Sequence, residues 1–155
     1  MMLFQKLFRK NVYKNAKLTE YSYHQGGDMI GSSYREAVRL NKDGSVSLKL
    51  ERAETYDAPV EITEYSVKPE VLTELSRVFL QYRMDRWHNK RFTDEFVCDG
   101  ETMGYSFAFD TAAEVRFSSQ LFPAEYGDKL RALQRIIENA KEEGEMLSSS
   151  RRERS

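Results

Sequence analysis

Residues 33–51 read SYREAVRLNKDGSVSLKLE. Tyr34, Val38 and Leu40 recur at every second position on one side of Asn41-Lys42-Asp43-Gly44, and Val46, Leu48 and Leu50 do so on the other. A period of two is that of a strand with one buried face. The four residues between the runs are turn formers, and Gly44 suits the positive φ that tight hairpin turns require. The stretch is therefore read as an antiparallel β-hairpin with one apolar and one polar face.

The flanking sequence extends this sheet in both directions. LTEYSYH (18–24) suits a strand through its tyrosines and threonine, and the glycine-rich GGDMIGS connects it to the hairpin. VEITEYSV (60–67) reads as a fourth strand. Lys68-Pro69-Glu70 then opens a helix, because proline at a first helical position gives up only an N–H that would lack a partner. Val71, Leu72, Leu75, Val78, Phe79, Tyr82 and Trp87 follow close to a 3.6-residue rhythm. GYSFAFDTAAEVRFSS (104–119) is a second hairpin with an aromatic face. After Pro123, Tyr126, Leu130, Leu133, Ile137 and Ala140 form the stripe of a final helix.

The expected fold is α+β: a single antiparallel sheet of about six strands in the order β-β-β-β-α-β-β-α, with two amphipathic helices packed on one face. Residues 1–17 are a basic amphipathic leader, 18–143 the single domain, and 144–155, within EEGEMLSSSRRERS, a tail with the composition of disorder. The opposite sheet face is expected to be open and lined by Arg35, Arg39, Lys49, Glu51, Glu114 and Arg116.

At 155 residues the chain is long enough to bury about 70% of the surface its unfolded form would expose. Twenty-four basic and 25 acidic residues leave a formal charge of −1, so no global field favours nucleic acid or an anionic membrane. The single cysteine, Cys98, precludes an intramolecular disulfide and a thiolate cluster. Gln5, Lys6, Arg9 and Lys10 interrupt the apolar residues near the N-terminus, unlike a signal peptide, and no run approaches the length of a membrane span. A cytoplasmic location is the expectation.

YRMDRWHNKRF (82–92) concentrates Trp87, His88 and four cations. It reads as a basic, aromatic nucleic-acid surface, as half of a catalytic pair in which Asp85 orients His88, or as a helix end whose cations face unpaired carbonyls while Trp87 closes the core. The helix-end reading explains most of the residues, with Asn89 as terminator. His24 precedes Gly26, Gly27 and Asp28, but two distant histidines do not make a metal motif. The glycine loop lacks the lysine of a phosphate-binding loop and leads into a strand rather than a helix. Cys98 lies among Asp94, Glu95, Asp99 and Glu101, an acidic setting that disfavours a reactive thiolate and lacks the order of a calcium loop. No catalytic, metal-binding or cofactor-binding residue is assigned, and no cofactor is expected. The expected binding surface comprises Arg35, Arg39, Lys49 and Arg116 with Gly26, Gly27 and Asp28.

GGDMIG, the NKDGSV turn, the helix through Trp87 and CDGETMGYSF follow in an order that resembles small bacterial α+β domain proteins of uncharacterised function. The resemblance covers roughly residues 18–140 and rests on structural punctuation. It implies a fold and carries no catalytic residues.

The expected function is a non-enzymatic, intracellular binding or accessory domain for a protein or small-molecule partner, using the open face or the GGDMIG loop. The alternatives are a small hydrolase or transferase with a His–carboxylate pair, and a nucleic-acid or anionic-membrane binder acting through local basic segments. The leader carries Lys6, Arg9, Lys10, Lys14 and Lys17 without an acidic residue, and its Leu3, Phe4, Leu7 and Phe8 share one helical side. It is expected to dock on this chain or to join two copies rather than to rest on a membrane.

Overall fold

The computed structural model describes residues 12–92, 102–120 and 122–153. Strands β1 (Leu18–Gly26), β2 (Ser33–Leu40), β3 (Val46–Ala53) and β4 (Val60–Val67) lead into helix α1 (Glu70–Gln81) and a 3-10 turn (Met84–Trp87). After these come β5 (Arg91–Phe92), β6 (Thr102–Phe109), β7 (Glu114–Ser119), helix α2 (Ala124–Glu143) and β8 (Glu145–Arg152). All the strands join one sheet in the order β5-β7-β6-β1-β2-β3-β4-β8. Seven run antiparallel to their neighbours, and the two-residue β5 lies parallel to β7 at the edge. The architecture is α+β with a single sheet.

The 33–51 hairpin forms with Val38 opposite Leu48 and Leu40 opposite Val46. Gly44 takes φ 87°, and Asp43 Oδ1 accepts the Ser45 N–H at 3.0 Å, which fixes the turn. The same row continues through Tyr21 to Phe107 and Val115 on one side and through Tyr65 on the other. These side chains are buried in one cluster with Val71, Leu75 and Phe79 of α1 and Leu130, Leu133 and Ile137 of α2. The two helices touch each other, with α1 against β1 and α2 against β4.

Two departures from the sequence reading concern how elements end. Helix α1 stops at Gln81, so Trp87 does not extend its stripe. Arg83 takes a left-handed φ of 52°, and the chain re-enters as a 3-10 turn, whose three-residue period sends Met84 and Trp87 together into the core. The tail expected to be disordered supplies β8, paired antiparallel with β4. Every β8 side chain is exposed, so apart from the Arg151–Glu61 ion pair the strand is held by its backbone, and composition reports only side chains. Gly144 makes the junction with α2 because a Cβ there would stand 2.7 Å from the Ala140 carbonyl oxygen and 3.0 Å from that of Ser66. Strands β5 and β8 raise the strand number from about six to eight.

Of the leader, residues 1–11 lie outside the described residues, as do Cys98 and its acidic neighbours. Residues 12–15 are helical, and Tyr13 packs on Phe79 and Phe109 with ring centroids 5.5 and 5.2 Å away. No described helix is long and apolar enough to cross a membrane.

Candidate functional site

The helices leave part of their own sheet face uncovered. Near the Gly26 and Ser33 ends of β1 and β2, a cleft of about 900 Å³ opens between the strands and the side of α2 that carries Gln134, Ile137, Glu138 and Lys141. Its sheet wall includes Tyr23, Tyr34, Glu36, Leu50, Arg52 and Thr63. Period two explains the arrangement. Glu36 has the parity of Tyr34 and Val38, so β2 aims a carboxyl toward the layer that is apolar elsewhere.

Glu36 is 5% exposed. A buried carboxylate is costly unless it is hydrogen-bonded, and here two phenols serve it. Tyr34 Oη donates to Oε2 at 2.7 Å and Tyr21 Oη to Oε1 at 3.4 Å. Desolvation nevertheless dominates and holds the Glu36 carboxyl above its ordinary pKa, opposed by these two bonds and reinforced by the negative charge of Glu138 on α2. Burial, followed by the charge of Glu36, pushes the Tyr21 and Tyr34 phenols upward as well. Tyr105 is raised by burial and then by Tyr23 and Glu36, while a hydrogen bond with Gln134 opposes this shift. The Tyr23 ring lies 4.8 Å from that of Tyr105 and 6.1 Å from that of Tyr34, and the Tyr23 phenol donates to Gln25 Oε1 at 3.0 Å. Of these rings only Tyr23 and Tyr34 line the cleft beside Glu36, while Tyr21 and Tyr105 are buried behind them. The Arg52 guanidinium stands 5.4 Å from the Tyr34 ring centroid, so that ring already receives a cation. Four carboxylates, Glu36, Glu54, Glu61 and Glu138, and two cations, Arg52 and Lys141, line the cleft, with Glu61 paired to Arg151 at 3.2 Å.

The residues singled out from sequence divide between two places. Arg35, Arg39, Lys49 and Arg116 do share the open face, and most have in-chain carboxylate partners. Arg39 pairs with Glu20 at 3.1 Å, Lys49 with Glu51 at 3.4 Å, and Arg116 with Glu114. Arg35 stands opposite Glu51 on one side and His24 on the other. Burial, and secondarily Arg35, holds the His24 imidazole below its ordinary pKa, with the ring lying over Gly104. Gly26 ends β1. Gly27 and Gly31 adopt φ of 88° and 76°, and Asp28 accepts the Ser32 N–H at 2.8 Å and the Ser32 hydroxyl, which closes the loop on itself. These bonds, the Ser32 hydroxyl foremost, hold the Asp28 carboxyl below its usual range. The loop reaches the cleft through Ser32, whereas Gly26, Gly27 and Asp28 do not line it.

The Asp85–His88 pair is not formed. Asp85 is buried and takes a two-pronged ion pair from Arg83, with Nε–Oδ1 and Nη2–Oδ2 both 3.0 Å. His88 Nδ1 instead accepts the Arg116 N–H at 3.1 Å, which stitches the segment to the edge of β7. Asn89, at φ 62°, turns the chain into β5. Neither histidine lines the cleft. Among the described residues no cluster of three or more His, Cys, Asp or Glu side chains could hold a metal ion. Asp85→Ala would leave the Arg83 guanidinium unpaired in a partly buried position and is expected to cost about 1–3 kcal/mol, whereas exposed His88→Ala should cost under about 1 kcal/mol. Urea unfolding of both variants checks this, and equal small losses would assign the ion pair no structural role.

Glu36 is the residue that the sequence reading passed over. Its signal was present as the one acidic residue among the alternating apolar positions of the deciding hairpin, a local conflict of the kind that marks functional or strained sites. A scan against protein-family models and a search of curated proteins return no match to this chain.

Proposed function

We propose that the chain is a non-enzymatic binding domain whose ligand is a small organic cation, an amine or guanidine, seated in the cleft with its charge toward Glu36. The observation that carries this reading is the buried carboxyl held by Tyr21 and Tyr34 at the base of a roomy cleft. Each carboxylate oxygen keeps acceptor capacity after one phenol bond. A protonated amine would supply the counter-charge that desolvation leaves lacking. With Glu61 paired to Arg151 at 3.2 Å, the carboxylates Glu36, Glu54 and Glu138 stand against Arg52 and Lys141 around the cleft, a margin of one that supports the same sign of ligand.

Agmatine, choline and tyramine serve as probes, titrated against the full chain by calorimetry, with 4-hydroxyphenylacetate as the acidic counterpart of tyramine. At least one cation should bind and the acid should not. Glu36→Gln should weaken that binding about tenfold or more, the scale of one charge-assisted contact. Equal affinity for tyramine and its acid, or unchanged binding by Glu36→Gln, would overturn the proposal.

The same variant carries a pH prediction. Because the folded-state pKa of Glu36 lies above its ordinary value of 4.5, the native state holds the proton more tightly than the unfolded chain. Its contribution to stability is therefore full below pH 4.5 and is lost as pH rises through the folded-state pKa. Glu36→Gln should remove that decline and raise stability at pH 7 by about 1 kcal/mol, as expected when a desolvated charge becomes a neutral acceptor. Urea midpoints measured from pH 4 to pH 8 test the slope. A steeper decline in the variant would contradict the assignment.

A further inference from the structure

The two edges of the sheet are unlike. One ends in β5, only two residues long, which suits the usual protection of an edge by shortness. The other ends in β8, eight residues with every side chain exposed, including Met146 at 56% and Leu147 at 59%. Among the described residues its only strand neighbour is β4, so its outer row of backbone donors and acceptors is free to pair. EMLSSSRR contains no proline, and its three charges, Glu145, Arg151 and Arg152, are of both signs and sit at its ends.

The register within β8 names the partner. Ser148 stands opposite Glu64 and Met146 opposite Tyr65, so Leu147 is an extra, bulged residue. With Leu147 set aside, seven residues remain, centred on Ser149. If a second β8 approaches antiparallel about a two-fold axis at Ser149, Ser148 meets Ser150, Met146 meets Arg151, and Glu145 meets Arg152, each contact occurring twice. Faces match as well as charges. Glu145 and Arg152 stand opposite Ser66 and Val60 of β4, on one side of the sheet, whereas Met146 and Arg151 stand opposite Tyr65 and Glu61, on the other. A strand whose ends carry opposite charges on the same face is complementary to its own reversed copy.

We propose that the outer edge of β8 pairs antiparallel with β8 of a second copy of this chain, joining the two sheets into one of sixteen strands. The two-fold axis is perpendicular to the sheet, so both clefts open on the same side of the dimer. The pairing is carried by backbone hydrogen bonds, and the Glu145–Arg152 contacts set its register.

Sedimentation of the full chain from about 1 to about 100 µM should show a species of twice 18.2 kDa. Glu145→Arg and Arg152→Glu should each weaken the dimer about tenfold, since each sets like charges opposite one another at two symmetric places. Mixing the two single variants should give a heterodimer tighter than either homodimer, because every Arg then meets a Glu. This result would not follow from a merely structural role within one chain. Circular dichroism checks that each variant is folded, and the chain carrying both changes should dimerise like the parent, which keeps the test open if one single variant fails to fold. A chain that stays monomeric throughout, a dimer indifferent to both reversals, or variants that do not associate on mixing would overturn the proposal. A dimer lost only on deletion of residues 1–11 would place the interface in the leader instead.

Discussion

Trp87→Ala is expected to lower the free energy of unfolding by ~3–5 kcal/mol, the range for removing a large buried aromatic side chain. Trp87 is 5% exposed and meets Phe117 and Tyr126 edge-on, with ring centroids 5.2 and 4.9 Å away. It thereby ties the turn after α1 to β7 and to the first turn of α2. The cavity left by alanine would be bounded by two rigid rings and by Met84, which is itself fully buried, so the site has little means of collapsing. Lys129 Nζ stands 6.0 Å from the Trp87 ring centroid, a contact worth under about 1 kcal/mol at an exposed position. Packing therefore outweighs charge at this residue. Urea unfolding should show a lower midpoint with an unchanged slope. Unchanged stability together with loss of RNA or DNA binding would instead return YRMDRWHNKRF to the nucleic-acid reading.

Long alternating or helical patterns were legible because each is a local consequence of one buried face. The hairpins at 33–51 and 104–119, helix α1 from Pro69, and helix α2 from Pro123 all carry such patterns. Helix α1's end was misplaced because Trp87 was placed on the stripe although sixteen residues at 3.6 per turn leave it about 160° from Val71, and Arg83's left-handed backbone leaves no mark on polarity. Strand β8 was illegible for a different reason. EMLSSSRR buries no side chain, and its strand state depends on α2 delivering Gly144 to the edge of β4, a long-range event. The cleft fell between these cases. Parity placed Glu36 on the covered face, yet whether a helix would lie over it depends on the path of α2, which periodicity does not specify. The open-face cations, by contrast, were placed correctly by parity alone, but their neighbours Glu20, Glu51 and Glu114 became visible as partners only through strand register.

Phe79→Ala should be about as damaging as Trp87→Ala, at ~3–5 kcal/mol, and it also reports on the leader. Phe79 is fully buried, with Phe107 at 4.8 Å, Phe109 at 5.1 Å and Tyr13 at 5.5 Å between ring centroids. Three of these rings belong to the domain and one, Tyr13, to the segment that precedes β1. Lys17 N–H donates to Asp110 Oδ1 and Asp110 N–H to the Lys17 carbonyl, both at 2.9 Å, which fixes where that segment enters the sheet. Tyr13→Ala alone should cost about 1–2 kcal/mol, as expected for a half-buried ring. Since Tyr13 and Phe79 form an edge-to-face pair, the double variant should cost less than the sum of the singles by ~0.5–1.5 kcal/mol. That coupling distinguishes docking on this chain from a leader held elsewhere. Strict additivity would mean that Tyr13 does not rest on Phe79 in solution, and the segment before Lys17 would then be held only by the Tyr13–Phe109 contact. With the coupling present, deletion of residues 1–12, which retains Tyr13, should leave the urea midpoint nearly unchanged. Any change in solubility or association would then come from the removed residues and not from a loosened sheet.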